Sequence, residues 1–77
     1  MSDSKLPVTL FQLRHKKDVS QETVARGIEV TRHYYYLLES GKKTNPSMAV
    51  LEKLANYFDV SVAYLIGGDR NVNRPSS

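Results

Sequence analysis

A chain of 77 residues without cysteine has room for one small domain and cannot rely on disulfides or cysteine-ligated metal, so its stability must come from a compact, local, helical core. Its formal net charge of +3 is too small to identify a partner by itself. No apolar run is long enough for a signal-peptide core or a membrane span, so we expect a soluble, cytoplasmic protein with no membrane partner.

The first two predicted helices are separated by a short polar break. Residues 6–17 carry leucines at helical spacing and end in the basic run RHKK, which suits the C-terminal end of a helix. Asp18 interrupts this pattern, and Ser20 is placed to cap a second, short helix that ends near residues 27–29. The inward residues of the two helices are predicted to be Leu6, Leu10, Leu13, Val24, Ala25 and Ile28.

Three more helices are predicted after a gap of about three residues. Thr31 is the N-cap of the third, residues 32–39, which stops before Gly41. After the loop-like run KKTNPS, Ser47 caps a fourth helix, residues 48–58, and Ser61 opens a fifth, residues 62–66, stopped by Gly67 and Gly68. No convincing strand pattern is present, so the predicted fold class is all-α. We expect residues 1–5 to form a flexible arm, residues 6–68 the domain, and residues 69–77 a flexible tail or the start of a linker.

The charges are unevenly distributed along the chain. Residues 1–47 contain eight basic and five acidic side chains, whereas residues 48–77 contain three of each. A basic N-terminal portion suggests an anionic partner such as nucleic acid, although a solvated basic surface is the commoner explanation of so small an excess. Charge alone leaves both interpretations open.

The tight spacing of the second and third predicted helices is typical of a helix-turn-helix. The run SQETVARGIEVTRHYYYLLESGKKTNPS, followed by LEKLANYFDVSVAYLIGG, resembles the Cro/CI-type (XRE) family of bacterial and phage helix-turn-helix regulators. The most specific points are Gln21 and Ala25, the Val30-Thr31 pair, the run ESGK and the run DVSVAYLIGG. The resemblance implies a compact, five-helix, lambda-repressor-like DNA-binding domain that needs no cofactor.

The sequence departs from the family pattern at two turns and one loop. Glu29 and Asp59 stand where the family usually has glycine, and Gly27 lies two residues before the first of them. Aspartate adopts the left-handed backbone conformation more readily than glutamate does. Either the turn between the second and third helices is reshaped or Glu29 carries backbone strain of order 1 kcal/mol. The loop GKKTNPS is one residue longer than the commonest form.

The three consecutive tyrosines of the third predicted helix must point in different directions, because each residue of a helix turns by about 100°. Tyr35 and Leu38 form the inward stripe, whereas Tyr34 lies on the flank. The opposite, outward face is predicted to comprise Arg32, His33, Tyr36, Leu37 and Ser40.

The resemblance implies that this outward face enters the major groove of DNA. Arg32 would bond guanine through two hydrogen bonds, His33 would donate to or accept from a base, and Tyr36 or Leu37 would pack on a thymine methyl. For Tyr36 and Leu37 the alternative is that another subunit or domain covers them. The residues expected to contact the DNA backbone are Gln21, Thr31, Tyr34, Ser40, Lys42, Lys43, Thr44 and Asn45.

The resemblance also implies an ion pair between Arg14 and Glu39 that joins the first helix to the end of the third. By contrast, His15 and His33 lie on different predicted helices and suggest no metal site, and no catalytic constellation is present. We therefore expect a protein that is not an enzyme.

Three classes of function remain, in order of support. The first is a sequence-specific DNA-binding transcriptional regulator, a repressor, that binds an inverted-repeat operator as a homodimer paired around the fifth helix and Tyr64. The second is a protein-interaction module of the same fold, such as an antitoxin or coactivator. The third is an enzyme. The cationic side chains Arg32, Lys42 and Lys43 favour the first over the second.

Overall fold

Residues 5–67 are described by a computed structural model, and this part of the chain forms five helices and no strand. Tyr64 and the predicted stop at Gly67 lie within it, whereas Gly68, residues 1–4 of the expected arm and the expected tail lie outside it. Lys5 donates its backbone N–H to the Ile66 carbonyl oxygen (2.9 Å), so residue 5 is held to the last helix. The helices are α1 (Leu6–Lys17), α2 (Gln21–Gly27), α3 (Arg32–Ser40), α4 (Met48–Phe58) and α5 (Val62–Gly67).

The start of each of the last four helices is fixed by a side-chain cap that the sequence predicts. In each case the hydroxyl oxygen accepts the backbone N–H three residues later, which satisfies one of the donors left free in the first helical turn. These distances are 3.1 Å at Ser20, 3.0 Å at Thr31, 3.2 Å at Ser47 and 2.9 Å at Ser61. α1 has no side-chain cap. Pro7 lies in its first turn, where the missing N–H of proline costs no helical hydrogen bond.

The core lies at the centre of the five helices and takes one apolar stripe from each. Every inward residue predicted for α1 and α2 is buried except Leu13, which packs against the core half-buried. Because the stripes are set by helical spacing, they form one continuous cluster. The buried apolar residues are Leu6, Leu10, Val24, Ala25, Ile28, Tyr35, Leu38, Leu51, Leu54, Ala55, Phe58 and Leu65.

The turn between α2 and α3 keeps a left-handed residue although glycine is absent from that position. Glu29 has φ 64° in this turn, and Asp59 has φ 59° at the end of α4. The turn is therefore not reshaped, and Glu29 takes the conformation that costs a side chain about 1 kcal/mol or more. Gly27 serves packing instead, because a Cβ there would lie 2.6 Å from Cε1 of Tyr57.

Replacing Glu29 with glycine is expected to raise the free energy of unfolding by about 0.5–1 kcal/mol, because glycine adopts positive φ without strain. The substitution also removes an ion pair to Lys53 (Nζ–Oε1 3.0 Å), but both side chains are exposed and such pairs contribute little. Urea denaturation measures the change. Asp59→Gly is the matched control and should gain less, since aspartate tolerates this conformation better. A loss of stability in Glu29→Gly would show that Glu29 is not strained.

Candidate nucleic-acid interface

α3 divides its three tyrosines among three environments. Tyr35 and Leu38 are completely buried, Tyr34 is half-buried, and Tyr36 is 41% exposed. Arg32 and His33 lie exposed in the first turn of the helix, and Ser40 is exposed in the last. Leu37, which the sequence places on the outward face, is half-buried. α3 thus presents a polar and aromatic face away from the core.

Two aromatic rings are stacked on this outward face. The ring centroids of His33 and Tyr36 are 6.3 Å apart, and the ring planes are inclined by 29°. Together with Arg32 and with Gln21 of α2, they line an open cleft of about 210 Å³. The face therefore has a cation, hydrogen-bonding groups and an aromatic surface side by side.

The loop after α3 carries two lysines, Lys42 and Lys43. Gly41 ends the helix with φ 84°, and the backbone N–H of Lys43 then donates to the Leu37 carbonyl oxygen at 3.0 Å. The Lys43 ammonium lies 5.7 Å from the centroid of the Tyr34 ring, within the range of a cation–π contact. Lys42, Thr44 and Asn45 are exposed beside it. The loop thus sets the charge of Lys43 beside Tyr34, on the flank of α3.

Glu39 connects three helices at the inner side of α3. Its carboxylate accepts hydrogen bonds from Arg14 Nε (2.9 Å to Oε1) and from Arg14 Nη2 (3.1 Å to Oε2). Gln21 Nε2 donates to the same Oε1 at 2.9 Å, and Arg14 Nη1 donates to the Val19 carbonyl oxygen at 3.0 Å. The hydrogen bonds to Glu39 raise the pKa of Arg14, although burial acts in the opposite direction. α3 is thereby fixed to α1 and to the start of α2.

A family model described as helix-turn-helix (HTH_3) matches residues 10–65, which is most of the chain. The chain belongs to the helix-turn-helix family. The resemblance to Cro/CI-type regulators is therefore confirmed, with α2 and α3 as the helix-turn-helix pair.

Relatives of this helix-turn-helix chain include characterised regulators. It is 39% identical over 54 residues to the cryptic phage CTXphi transcriptional repressor RstR of Vibrio cholerae; that match covers 70% of this chain and 48% of RstR. The chain thus spans about half the length of this relative. The N-terminal DNA-binding domain of SinR from Bacillus subtilis has a TM-score of 0.75 at 33% identity, covering 79% of this chain and 88% of that one. SinR in complex with DNA has a TM-score of 0.74 at 33% identity, covering 78% and 95%. These likenesses confirm the five-helix fold.

Three of the backbone-contact residues expected in this helix-turn-helix chain also form hydrogen bonds within it. The Gln21 amide is bonded to Glu39, and the Ser40 hydroxyl donates to the Leu37 carbonyl oxygen at 3.3 Å. The Thr31 hydroxyl oxygen caps α3, as described above. Sequence reasoning missed the bond between Gln21 and Glu39, and helical spacing contains no signal for it because the residues are 18 positions apart.

His15 lies on α1, whereas His33 lies on α3. The His15 ring contacts that of Phe11, with centroids 4.2 Å apart and ring planes inclined by 45°. Between residues 5 and 67, no group of three or more metal-ligating side chains is close enough to hold an ion. No helix in the same range is long and apolar enough to cross a membrane.

Proposed function

We propose that this chain is a sequence-specific DNA-binding transcriptional regulator, a repressor of bacterial or phage type, that reads the major groove with α3. The observation that carries the proposal is the exposed face of α3, where Arg32, His33 and Tyr36 line one open cleft with Gln21, while a loop with two lysines follows the same helix. Its relatives support the proposal, since RstR is a transcriptional repressor and SinR forms a complex with DNA. Such a regulator acts on the nucleoid, in the cytoplasm.

The contacts divide into two groups by chemistry. Base edges in the major groove present acceptors, donors and a thymine methyl, which suit Arg32, His33, Tyr36 and Leu37. Phosphates are sequence-independent anions and suit cations, hydroxyls, amides and backbone N–H groups at the margin. The residues proposed for phosphate contact are Gln21, Thr31, Tyr34, Ser40, Lys42, Lys43, Thr44 and Asn45.

One copy of the domain has a single short reading helix and few cations, which is too little for a tight specific complex. We therefore propose a two-fold symmetric homodimer on an inverted repeat, with half-sites about one helical turn, or 34 Å, apart. α5 is the proposed pairing surface, and the exposed Ile66 and half-buried Tyr64 on that helix support it. Footprinting that protects one unrepeated half-site with one protein bound would contradict the paired arrangement.

The experiment that tests the function is selection of bound sequences from a pool of random duplexes. A regulator of this kind should enrich one inverted repeat, whereas a protein-interaction module of the same fold should enrich none. Mobility shifts at two salt concentrations then separate selective from nonselective binding, because phosphate contacts weaken with salt.

Arg32→Ala and Lys43→Ala are expected to impair binding in different ways. Arg32→Ala should weaken the binding free energy for the selected site by about 1–3 kcal/mol and that for random duplex only slightly, because a base contact carries sequence information. Loss of Lys43 should weaken all duplexes alike and reduce the slope of log affinity against log salt by about one per subunit. Fluorescence anisotropy across a salt series measures both. Equal effects of Arg32→Ala on selected and random duplexes would contradict its role in reading bases.

A further inference from the structure

The outward face of α1 carries large apolar side chains, whereas the outward face of a surface helix is ordinarily polar. Val8 is 50% exposed and Phe11 is 48% exposed. The His15 ring contacts that of Phe11, with centroids 4.2 Å apart. Because the three residues are spaced three and four positions apart, they share one side of the helix and form a single stripe, the α1 stripe. The leucines of α1 pack into the core from the other side, so packing within the domain does not account for this stripe.

The charges around the α1 stripe have one sign. α1 contains no acidic residue, and its last turn holds Arg14, His15, Lys16 and Lys17. Arg14 is paired with Glu39, but within residues 5–67 neither Lys16 nor His15 forms an ion pair with a carboxylate. A surface that is apolar along its length and cationic at one end complements a segment that is apolar on one side and acidic at its margin.

We propose that the α1 stripe is a docking site for an acidic amphipathic helix of another protein. Such a helix packs apolar side chains, spaced three and four residues apart, against Val8 and Phe11, and its carboxylates lie beside Lys16. Exposed apolar patches of this kind mark interaction surfaces. The stripe shares no residue with the cleft on α3 or with the proposed pairing surface on α5, so this site goes beyond the proposed function. A lipid surface fits less well, because insertion takes a continuous apolar face and the stripe has two apolar side chains.

Selection from a displayed peptide library tests the proposal. The peptides are helix-forming segments of about 14 residues, roughly four turns, with varied apolar residues on one side and Glu, Gln or Lys elsewhere. The full chain should enrich peptides with more Glu than Lys, and their affinity should fall as the salt concentration rises, because exposed charges are screened. Enrichment of no peptide, or of peptides without an excess of Glu, overturns the proposal.

Phe11→Ala should weaken binding of the enriched peptide about tenfold or more, because aromatic side chains at the centre of an interface carry much of the binding energy. Met48→Ala is the matched control, since Met48 is 58% exposed but lies on α4, and it should bind the peptide as the parent does. Both variants should bind the selected DNA duplex with unchanged affinity. Equal peptide binding by Phe11→Ala and the parent overturns the proposal.

Lys16→Glu provides a second, independent test at an exposed side chain that does not belong to the apolar core. It should weaken the acidic peptide and strengthen a version of that peptide in which Lys replaces Glu, because the charge at the end of the stripe is reversed. Unchanged preference between the two peptides overturns the proposal. Urea denaturation of each variant excludes unfolding as the cause of a lost interaction.

Other occupants of the α1 stripe give different results. If the stripe pairs two copies of this chain, Phe11→Ala should reduce self-association in sedimentation equilibrium, and that result overturns the proposal. Binding to phosphatidylglycerol vesicles that is lost in Phe11→Ala also overturns it. The peptide selection contains no DNA, so its failure is separate from a failure of the duplex selection that tests the proposed function.

Discussion

Truncation of Tyr35 to alanine is expected to lower the free energy of unfolding by about 3 kcal/mol or more, as other large-to-small aromatic changes do in buried sites. The Tyr35 ring is completely inaccessible and belongs to the central apolar cluster. The free energy of unfolding of a small domain is about 5–15 kcal/mol, so this loss would be a large part of it. Urea denaturation followed by circular dichroism measures the change.

The neighbouring tyrosine provides the control for this prediction. Tyr36→Ala should leave stability within about 0.5 kcal/mol of the parent, because 41% of the residue is already exposed. The same variant should weaken binding to the selected duplex. If Tyr36→Ala proved the more destabilising of the two, the register of α3 would be wrong by one residue.

Tyr35→Phe separates the contribution of the ring from that of its hydroxyl. The Tyr35 hydroxyl is buried and has no hydrogen-bond partner within residues 5–67, so its removal should be neutral or stabilising. Burial raises the pKa of Tyr35 above the usual 10.0, and the negative charge of Glu39 raises it further while Arg14 lowers it. The pKa of Tyr35 is higher in the folded state than in the unfolded state. The free energy of unfolding is therefore unaffected by this group below about pH 10 and decreases as the pH rises further. Tyr35→Phe should lack that alkaline loss.

The features that the sequence predicts correctly are local ones. The caps at Thr31 and Ser47 bond to a backbone group three residues away, so the sequence itself contains both partners of the interaction. The division between Tyr35 and Tyr36 follows from the 100° step of a helix and from the position of Leu38 one turn later. Helix bounds and inward stripes are therefore accessible without a structure.

Contacts between helices are the features that the sequence does not reveal. Tyr57 of α4 covers Gly27 of α2, yet no periodicity relates these two residues. The sequence also does not decide between backbone strain at Glu29 and a reshaped turn, because both are compatible with the same residues. The expectation of an ion pair between Arg14 and Glu39 came from resemblance to a family and not from spacing, since 25 positions separate the residues.

Replacing Arg14 with methionine is expected to lower the free energy of unfolding by about 3 kcal/mol, near the lower end of the 3–5 kcal/mol typical of a broken buried pair. The Glu39 side chain is only 4% exposed, so its carboxylate would stay buried with Gln21 as its remaining donor. Arg14 itself is 15% exposed, and this partial contact with solvent moderates the loss. Urea denaturation of the variant at neutral pH measures it.

The exposed pair between Arg26 and Glu22 is the matched control, because it has the same N–O distance of 2.9 Å but side chains that are 77% and 63% exposed. Arg26→Met should cost less than about 0.5 kcal/mol. The double variant Arg14→Met, Glu39→Met should recover much of the loss, since it leaves no buried charge without a partner. If Arg14→Met costs as little as Arg26→Met, the buried pair does not hold α3 to α1. If the double variant is stable but binds the selected duplex weakly, the pair acts by orienting the reading helix and not by stabilising the fold.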